Sequence, residues 1–246
     1  MKVLVSNDDG IEAEGLSVLA AWAERQGFYT LVVAPDHNAS GQSGAVTLGA
    51  PVMVKEWGVR RWAVSGTPAD CVRVALTFLG YRPDVVLVGI NHGLNLGFDV
   101  YVSGTVGAAR YAAMQGIPAI AFSAVPGHWA HIGHLMEVHA RPLIEDAIQG
   151  EPGGVLSVNF PSQGGTTRVH AGLTPVLSQD RLEWAEFRDG RHMVKLSLAA
   201  FHASHTLGDV DAVRGHYTTS TYLPMAMNEL LPSRTIDPVS GSQAPA

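Results

Sequence analysis

The chain has 246 residues, of which 16 are Lys or Arg and 22 are Asp or Glu, so its formal net charge is -6. Because there is no basic field to attract a polyanion, the composition argues against a protein that binds long nucleic acids. Hydrophobic residues make up 46% and charged residues 15%, which is typical of a globular chain with a large buried core. A single cysteine, Cys71, excludes an intramolecular disulfide and a multi-cysteine zinc site.

The amino-terminal sequence MKVLVSNDDGIEAEG has only a short apolar run before its first carboxylates. That run is too short for the hydrophobic segment of a secretory signal. No window of the chain approaches the ~18 consecutive apolar residues that a membrane-spanning helix needs. We therefore expect a soluble cytoplasmic protein that does not bind membranes.

Short apolar runs alternate along the chain with longer segments in which apolar residues recur at helical spacing. The predicted strands are 2–6, 29–34, 84–89, 119–123 and 155–160. The predicted helices are 14–26, 68–79, 104–115 and 132–149. Such alternation indicates βαβ units, and continuous apolarity within the second and third strands implies burial on both faces. The predicted fold class is therefore α/β, a doubly wound and mostly parallel sheet.

Two regions depart from this alternation. Residues 43–66 alternate in polarity and contain turn sequences, so we predict a β-hairpin excursion there. Further along, strands and turns with a helix start near 208–214 predict a smaller C-terminal subdomain or oligomerisation arm over 166–232. The polar, Pro- and Ser-rich end, 233–246, is expected to be disordered. Residues 1–165 then form the main domain.

Polar residues follow each of the first three predicted strands, and in a parallel sheet these strand ends meet at the edge where ligands bind. Asp8 and Asp9 would repel each other at the end of a buried strand, and a divalent cation is the simplest compensation. The oxygen and amide groups of Ser40, Asn91 and Asn95 suit Mg²⁺, Mn²⁺ or Ca²⁺. The alternative is that Asn-Asp-Asp-Gly only forms a tight turn and a helix cap.

A second candidate element is Ser103-Gly104-Thr105, which begins a predicted helix with small residues. Free N–H groups and the positive end of the helix dipole favour an anion such as phosphate there. The alternative is an ordinary serine N-cap on a closely packed helix. Four histidines follow at 128, 131, 134 and 139, and without a Cys or carboxylate pattern beside them we interpret them as a solvated helix start. Cys71 is expected to be a packed thiol.

Five motifs occur in a fixed order between Met1 and Pro161: VSNDDGIEAEGL, VVAPDHNASGQSGAVTL, SGTPADCVRVAL, VGINHGLNLGFDVYVSGTVGAARYAAMQGIPAIAFS and SVNFP. Together they resemble the SurE family, the stationary-phase survival proteins with 5'/3'-nucleotidase activity. The resemblance implies a Rossmann-like catalytic core over 1–165. It also implies a homodimer or homotetramer formed partly through exchanged C-terminal segments.

The resemblance further implies a set of site residues. The metal ligands of the family fall on Asp8, Asp9, Ser40 and Asn91, and its phosphate neighbours fall on Asn95, Ser103, Gly104 and Thr105. The implied cofactor is one divalent metal ion, Mg²⁺ or Mn²⁺, and the implied partner is a small-molecule nucleotide. Ala39 stands where a basic residue is common in the family, and this difference is expected to weaken electrostatic help for a substrate anion.

These observations predict a metal-dependent phosphomonoesterase that hydrolyses nucleoside 5'- and 3'-monophosphates by attack of metal-activated water. Asp8 and Asp9 are the predicted catalytic carboxylates, and one of them can also act as general acid or base. Two alternatives stay open: a hydrolase of polyphosphate or other phosphomonoesters, and a non-catalytic nucleotide-sensing module. The carboxylate pair disfavours the module, because binding phosphate alone does not need one.

Overall fold

The computed structural model describes residues 1–149, 154–173, 179–188, 191–199 and 208–224. Its strands are β1 (Lys2–Ser6), β2 (Tyr29–Pro35), β3 (Val54–Gly58), β4 (Arg61–Val64), β5 (Val85–His92), β6 (Ala119–Ala124), β7 (Val155–Phe160), β8 (Arg168–His170), β9 (Gln179–Arg188), β10 (Arg191–Ala199) and β11 (Thr218–Leu223). Its α-helices are α1 (Glu14–Arg25), α2 (Pro68–Thr77), α3 (Gly104–Met114), α4 (Trp129–Gln149) and α5 (Asp209–Arg214), and a 3-10 helix spans Gly97–Tyr101.

A nine-stranded sheet forms the centre of the molecule, in the order β3-β4-β2-β1-β5-β6-β7-β11-β8. β1 pairs in parallel with both β2 and β5, and parallel pairing continues from β5 through β6 to β7. The carboxyl ends of these five strands therefore lie along one edge of the sheet. The predicted α/β class with a mostly parallel sheet is confirmed.

Helices cover both faces of the sheet. Val5 of β1 faces the cluster that includes buried residues of α1 and α4, whereas Leu4 faces the cluster that includes buried residues of α2 and α3. This two-sided burial explains why the predicted strands are continuously apolar. Cys71 lies in the second cluster as a buried free thiol, as expected, and burial raises its pKa well above the usual range.

The predicted β-hairpin excursion is formed by β3 and β4, which pair antiparallel. β4 also pairs in parallel with β2, so the excursion extends the main sheet at this end. The other predicted elements agree with the observed ones to within a few residues. The largest differences are that α4 begins at Trp129 rather than at residue 132, and that β5 continues to His92 rather than ending at residue 89.

The histidines near the start of α4 do not share one environment. His128 and His134 are exposed, as expected for a solvated helix start. His139 is different, because it is buried and its Nε2 lies 2.6 Å from the carbonyl oxygen of Gly165. The interpretation was therefore wrong for His139, which lies on the inner face of α4 with Leu135 and Leu143.

The C-terminal part of the chain contributes to two sheets. β8 and β11 extend the main sheet beyond β7, whereas β9 and β10 form a separate antiparallel pair. The division of the chain at residue 165 stays a prediction, and the predicted disordered tail, 233–246, lies outside the described residues. Among the helices that the structure describes, none is long and apolar enough to cross a lipid bilayer.

The start of α2 holds the segment that precedes β3. Thr67 and Asp70 form a capping box, in which each side chain accepts a hydrogen bond of 3.1 Å from the other residue's backbone N–H. The Asp70 carboxylate also accepts bonds from the N–H and the hydroxyl of Thr47, and it forms an ion pair of 2.6 Å with Arg73. One buried carboxylate thus fastens the Thr47 segment to α2.

Replacing Asp70 by asparagine is expected to lower the free energy of unfolding at pH 7 by about 1–2 kcal/mol, since it removes the ion pair and weakens the cap. Burial raises the pKa of Asp70, but hydrogen bonds from Thr47, Thr67 and Arg73 outweigh this effect and hold the pKa below its ordinary value of 3.8. Because folding lowers the pKa of Asp70, its ionised carboxylate stabilises the fold at pH values above its ordinary pKa. This stabilisation is lost as the pH falls through the folded-state pKa.

Urea unfolding of the wild type and Asp70→Asn at pH 7 and pH 3 checks this expectation. The difference between the two proteins should shrink at pH 3, and Glu56→Gln, an exposed carboxylate on β3, should unfold like the wild type at both values. An equal difference at pH 3 and pH 7 would show that the charge of Asp70 does not stabilise the fold.

Candidate active site

The turn after β1 places Asp8 and Asp9 at the carboxyl edge of the sheet. The side chain of Asn7 closes this turn by donating to the Gly10 carbonyl oxygen at 2.9 Å and accepting from the Gly10 N–H at 3.3 Å. Gly10 has a φ of +110°, which residues with a side chain rarely adopt. The segment is thus a tight turn, but it does not cap α1, whose N-cap is Ala13 without a side-chain hydrogen bond.

Asp8 is buried against the start of α3, with only 2% of its surface exposed. Thr105 donates to this carboxylate from its hydroxyl and from its backbone N–H, the latter at 3.0 Å from Oδ2. Burial raises the pKa of Asp8 from 3.8 to about 6; the bonds from Thr105 lower it, and the charge of Asp9 adds to the rise. The buried charge of Asp8 therefore favours a nearby cation.

Asp9 is partly exposed and lies beside the end of β5. Its Oδ2 accepts a hydrogen bond of 2.9 Å from the backbone N–H of His92. Burial raises the pKa of Asp9 as well, while the hydrogen bond and the imidazole of His92 lower it. Two neighbouring carboxylates with raised pKa values therefore occupy the end of β1.

An irregularity in β5 sets the position of Asn91. The register between β5 and β6 shifts between Val88 and Asn91, which pairs with Ser123. The backbone turns at Gly89, where φ is +133° and a Cβ atom would collide with the carbonyl oxygen of Phe122. The Asn91 side-chain nitrogen donates to the Gly93 carbonyl oxygen at 2.9 Å, so its side-chain oxygen is the atom that a cation would take.

Ser40 is exposed in the loop after β2, one residue after Ala39. The neighbouring Ala39 N–H donates to the Asp8 carbonyl oxygen at 2.7 Å. Further along the loop, the Ser43 N–H donates to the carbonyl oxygen of Val102 at 3.1 Å. The loop that carries Ser40 is thus tied both to the end of β1 and to the residues before α3.

α3 begins beside these groups with three small residues. The Ser103 hydroxyl accepts from the Val106 N–H at 3.1 Å, so Ser103 is the N-cap that the alternative interpretation described, and its own proton can go to another acceptor. A Cβ atom on Gly104 would lie 2.9 Å from Asp8 Oδ2, so only glycine lets the helix approach this closely. Because the Thr105 N–H goes to Asp8, the Gly104 N–H is the helix-terminal donor suited to an anion.

Asn95 lies buried in the loop after β5. Its side-chain amide donates to the Ser123 hydroxyl at 2.8 Å. The side chain of Asn159 accepts from the Asn95 N–H at 2.9 Å and donates to the Asn95 carbonyl oxygen at 3.0 Å. Two residues on, the Gly97 N–H donates to Asp209 Oδ2 at 2.8 Å. Three elements, β6, β7 and α5, therefore hold this loop.

The residues that hold the site were not singled out by the sequence: His92, Ser123, Asn159 and Asp209. Ser123 and Asn159 end predicted strands at the same edge of the sheet, so the strand-end rule could have found them. Asp209 lies at the predicted helix start near 208–214, but no local signal connects it to Gly97.

The donors at this edge fit a divalent cation. Asp8 and Asp9 supply carboxylates, and Ser40 and Asn91 add neutral oxygens, which is the set that hard cations prefer. A cation would offset the charge of Asp8, which is penalised by burial and repelled by the charge of Asp9. No group of three or more His, Cys, Asp and Glu side chains forms a metal site among the described residues, so serine and asparagine would have to complete the coordination.

The fold defines a Rossmann-like α/β protein, whose candidate site lies at the carboxyl edge of the sheet. A family model described as "Survival protein SurE" matches residues 3–183. The chain belongs to the SurE family, which confirms the resemblance seen in its motifs. This family is metal-dependent.

Several curated proteins named 5'-nucleotidase SurE are similar to this chain. The protein from Variovorax paradoxus is 48% identical over 169 residues, which is 66% of either chain. The one from Xanthomonas campestris pv. campestris is 44% identical over 167 residues, or 65% of this chain and 64% of the relative. The matched region thus spans slightly less than two thirds of these relatives. A crystal structure of the SurE protein from Aquifex aeolicus gives a TM-score of 0.76 at 29% identity, covering 92% of this chain and 94% of that one.

Proposed function

We propose that this chain is a metal-dependent phosphomonoesterase that releases phosphate from nucleoside 5'- and 3'-monophosphates. The observation that carries the proposal is the buried Asp8 carboxylate, which lies next to Asp9 where the ends of β1 and β5 meet the start of α3. Membership of the SurE family and the 5'-nucleotidase names of the relatives support it.

The proposed cofactor is one Mg²⁺ or Mn²⁺ ion held by Asp8, Asp9, Ser40 and Asn91. When bound, it would offset charge on the phosphoryl oxygens and lower the pKa of the attacking water. The hydrogen bonds from Thr105 and His92 fix the two carboxylates before substrate arrives. Asp8 is proposed here as a metal ligand whose oxygens also accept from Thr105, and we propose direct attack by water rather than by this carboxylate.

The phosphate dianion needs further donors for its oxygens. The Asn95 amide has a second N–H besides the one given to Ser123. The Gly104 N–H lies at the positive end of the α3 dipole, and the Ser103 hydroxyl retains a proton to donate. These three groups would bind and orient the phosphoryl group without carrying a charge themselves.

Phosphate release from adenosine and guanosine 5'- and 3'-monophosphates tests the proposal, with Mn²⁺, with Mg²⁺ and after chelation. We expect release with a divalent cation and none after chelation. An Asp8→Asn preparation made in parallel controls for contaminating phosphatases. Folded protein that releases no phosphate with either metal would contradict the function, and a trapped phosphoenzyme would contradict direct attack by water.

We also propose that the protein works as a homodimer or homotetramer. Apolar side chains near the start of β3 and the end of α2 support this, because Leu48 is 78% exposed, Met53 72% and Phe78 68%. Exposed apolar patches of this kind are often covered by another protein surface. Light scattering in solution checks the assembly, and a monomer at micromolar concentration would contradict it.

A further inference from the structure

The SVNFP motif contains Asn159, whose contacts the proposed reaction does not use. Asn159, at the end of β7, reaches across to the backbone of Asn95 and bonds both its N–H and its carbonyl oxygen, at 2.9 and 3.0 Å. Only 1% of Asn159 and 7% of Asn95 is exposed. The side chain of Asn159 thus pairs with the N–H and the carbonyl oxygen of Asn95, as a neighbouring strand pairs with a residue inside a sheet.

This pair of bonds needs an amide side chain. Asn159 acts as donor and acceptor at once, which neither a carboxylate nor an apolar side chain of the same size can do. A leucine would leave the buried N–H and carbonyl oxygen of Asn95 without partners, and unpaired buried backbone groups are strongly unfavourable. An aspartate would keep the acceptor but would oppose the carbonyl oxygen with a negative charge.

The other contacts of the loop fix the side chain of Asn95 and the backbone after it. Ser123 pairs with Asn159 in the register between β6 and β7, and its hydroxyl accepts from the Asn95 amide at 2.8 Å. On the far side, Leu94 and Leu96 pack with α5, whose Asp209 accepts from the Gly97 N–H. Backbone and side chain of Asn95 are therefore fixed separately, by adjacent residues of two adjacent strands.

We propose that Asn159 is a positioning residue for phosphate binding, which acts through Asn95 and does not touch the substrate. The inference rests on the proposed function, in which the Asn95 amide holds a phosphoryl oxygen. Displacing a substrate-binding group by about 1 Å can lower a rate 100-fold. Holding Asn95 in place is therefore as important to the reaction as the amide group itself.

A double-mutant cycle of Asn159→Leu and Asn95→Ala tests the inference. We expect each single variant to lower kcat/KM for a nucleoside monophosphate by roughly 10- to 100-fold, and the double variant to lose no more than the larger single loss. Affinity for Mn²⁺ should not change, because Asp8 and Asp9 are held by α3 and β5 instead. Ser157→Ala is the matched control: Ser157 is also on β7, on the same face, and equally buried, and this variant should retain wild-type rates.

Binding of inorganic phosphate to the Mn²⁺-loaded proteins, measured by calorimetry, separates this inference from the proposed function. A wild type that binds phosphate but hydrolyses no nucleotide would overturn the function alone, and phosphate affinities that follow the expected cycle would still support positioning. Wild-type phosphate affinity in Asn159→Leu, or losses that add in the double variant, would overturn positioning.

A second variant protects the test against misfolding. If circular dichroism shows that Asn159→Leu does not fold, Asn159→Asp takes its place in the cycle, since it keeps the acceptor for the Asn95 N–H. We expect it to lose kcat/KM and phosphate affinity with Mn²⁺ affinity unchanged. Wild-type values for both in Asn159→Asp would overturn the inference.

Discussion

Replacing Asp8 by asparagine is expected to abolish phosphate release and to stabilise the metal-free protein at pH 7. The side chain is 2% exposed, and burial is the largest cause that raises its pKa from 3.8 to about 6. A carboxyl group whose pKa is raised by folding destabilises the folded state once it is ionised. At 1.36 kcal/mol per pH unit, a shift of about two units corresponds to ~3 kcal/mol at pH 7. Asparagine removes this charge and keeps an oxygen for the Thr105 N–H.

Because folding raises the pKa of Asp8, the effect of its charge on the free energy of unfolding depends on pH. The destabilisation by Asp8 is complete above the folded-state pKa of about 6, declines as the pH falls and is absent below 3.8. Urea unfolding with a chelator should therefore show Asp8→Asn as the more stable protein at pH 7 and nearly equal to the wild type at pH 3.5. Added Mn²⁺ should stabilise the wild type and not the variant, because only a ligand that binds the folded state shifts its stability.

Glu12→Gln is the control for this comparison. Glu12 is an exposed carboxylate a few residues after Asp9, so its replacement should leave the stability unchanged at both pH values. A metal-free Asp8→Asn protein that is less stable than the wild type at pH 7 would show that the hydrogen bonds from Thr105 outweigh the burial of the charge.

The apolar pattern predicted the central strands because strands that are buried on both faces are continuously apolar. The same pattern could not predict β11, whose sequence TTSTYL is rich in hydroxyl groups and yet is almost entirely buried. Nothing local indicates that it pairs antiparallel with β7 and in parallel with β8. Threonine and tyrosine favour strands, but the place of β11 in the sheet depends on packing against its neighbours, which no local pattern encodes.

For the candidate site, the strand-end rule selected residues from segments that the structure connects. The bonds from Ala39 to Asp8 and from His92 to Asp9 connect the loop of Ser40 and the end of β5 to the two carboxylates. The sequence could not show that Thr105 gives its N–H to Asp8. That contact depends on how near α3 comes to β1, which is a distance between elements that no local pattern encodes.

Gly107 sets how closely α3 approaches the loop after β2, and replacing it by alanine is expected to lower kcat/KM roughly 100-fold. A Cβ atom at this position would collide with the carbonyl oxygen of Ser43 and lie 2.6 Å from the Gly44 nitrogen. These are backbone atoms, so the loop has to move as a whole. Ser43 resists a small adjustment, because its φ is +51° and its N–H is bonded to Val102. The displaced loop carries Ser40, so we expect weaker binding of Mn²⁺.

Gly133→Ala is the matched control, because Gly133 also lies inside a helix, α4, and a Cβ atom there would meet nothing within 4 Å. That substitution should stabilise the protein by ~0.5–1 kcal/mol through helix propensity alone and leave the rate unchanged. Steady-state kinetics and Mn²⁺ titration of both variants make the comparison. If Gly107→Ala binds Mn²⁺ and releases phosphate like the wild type, then the loop of Ser40 does not contribute to the cation site, and the coordination must be completed by other groups.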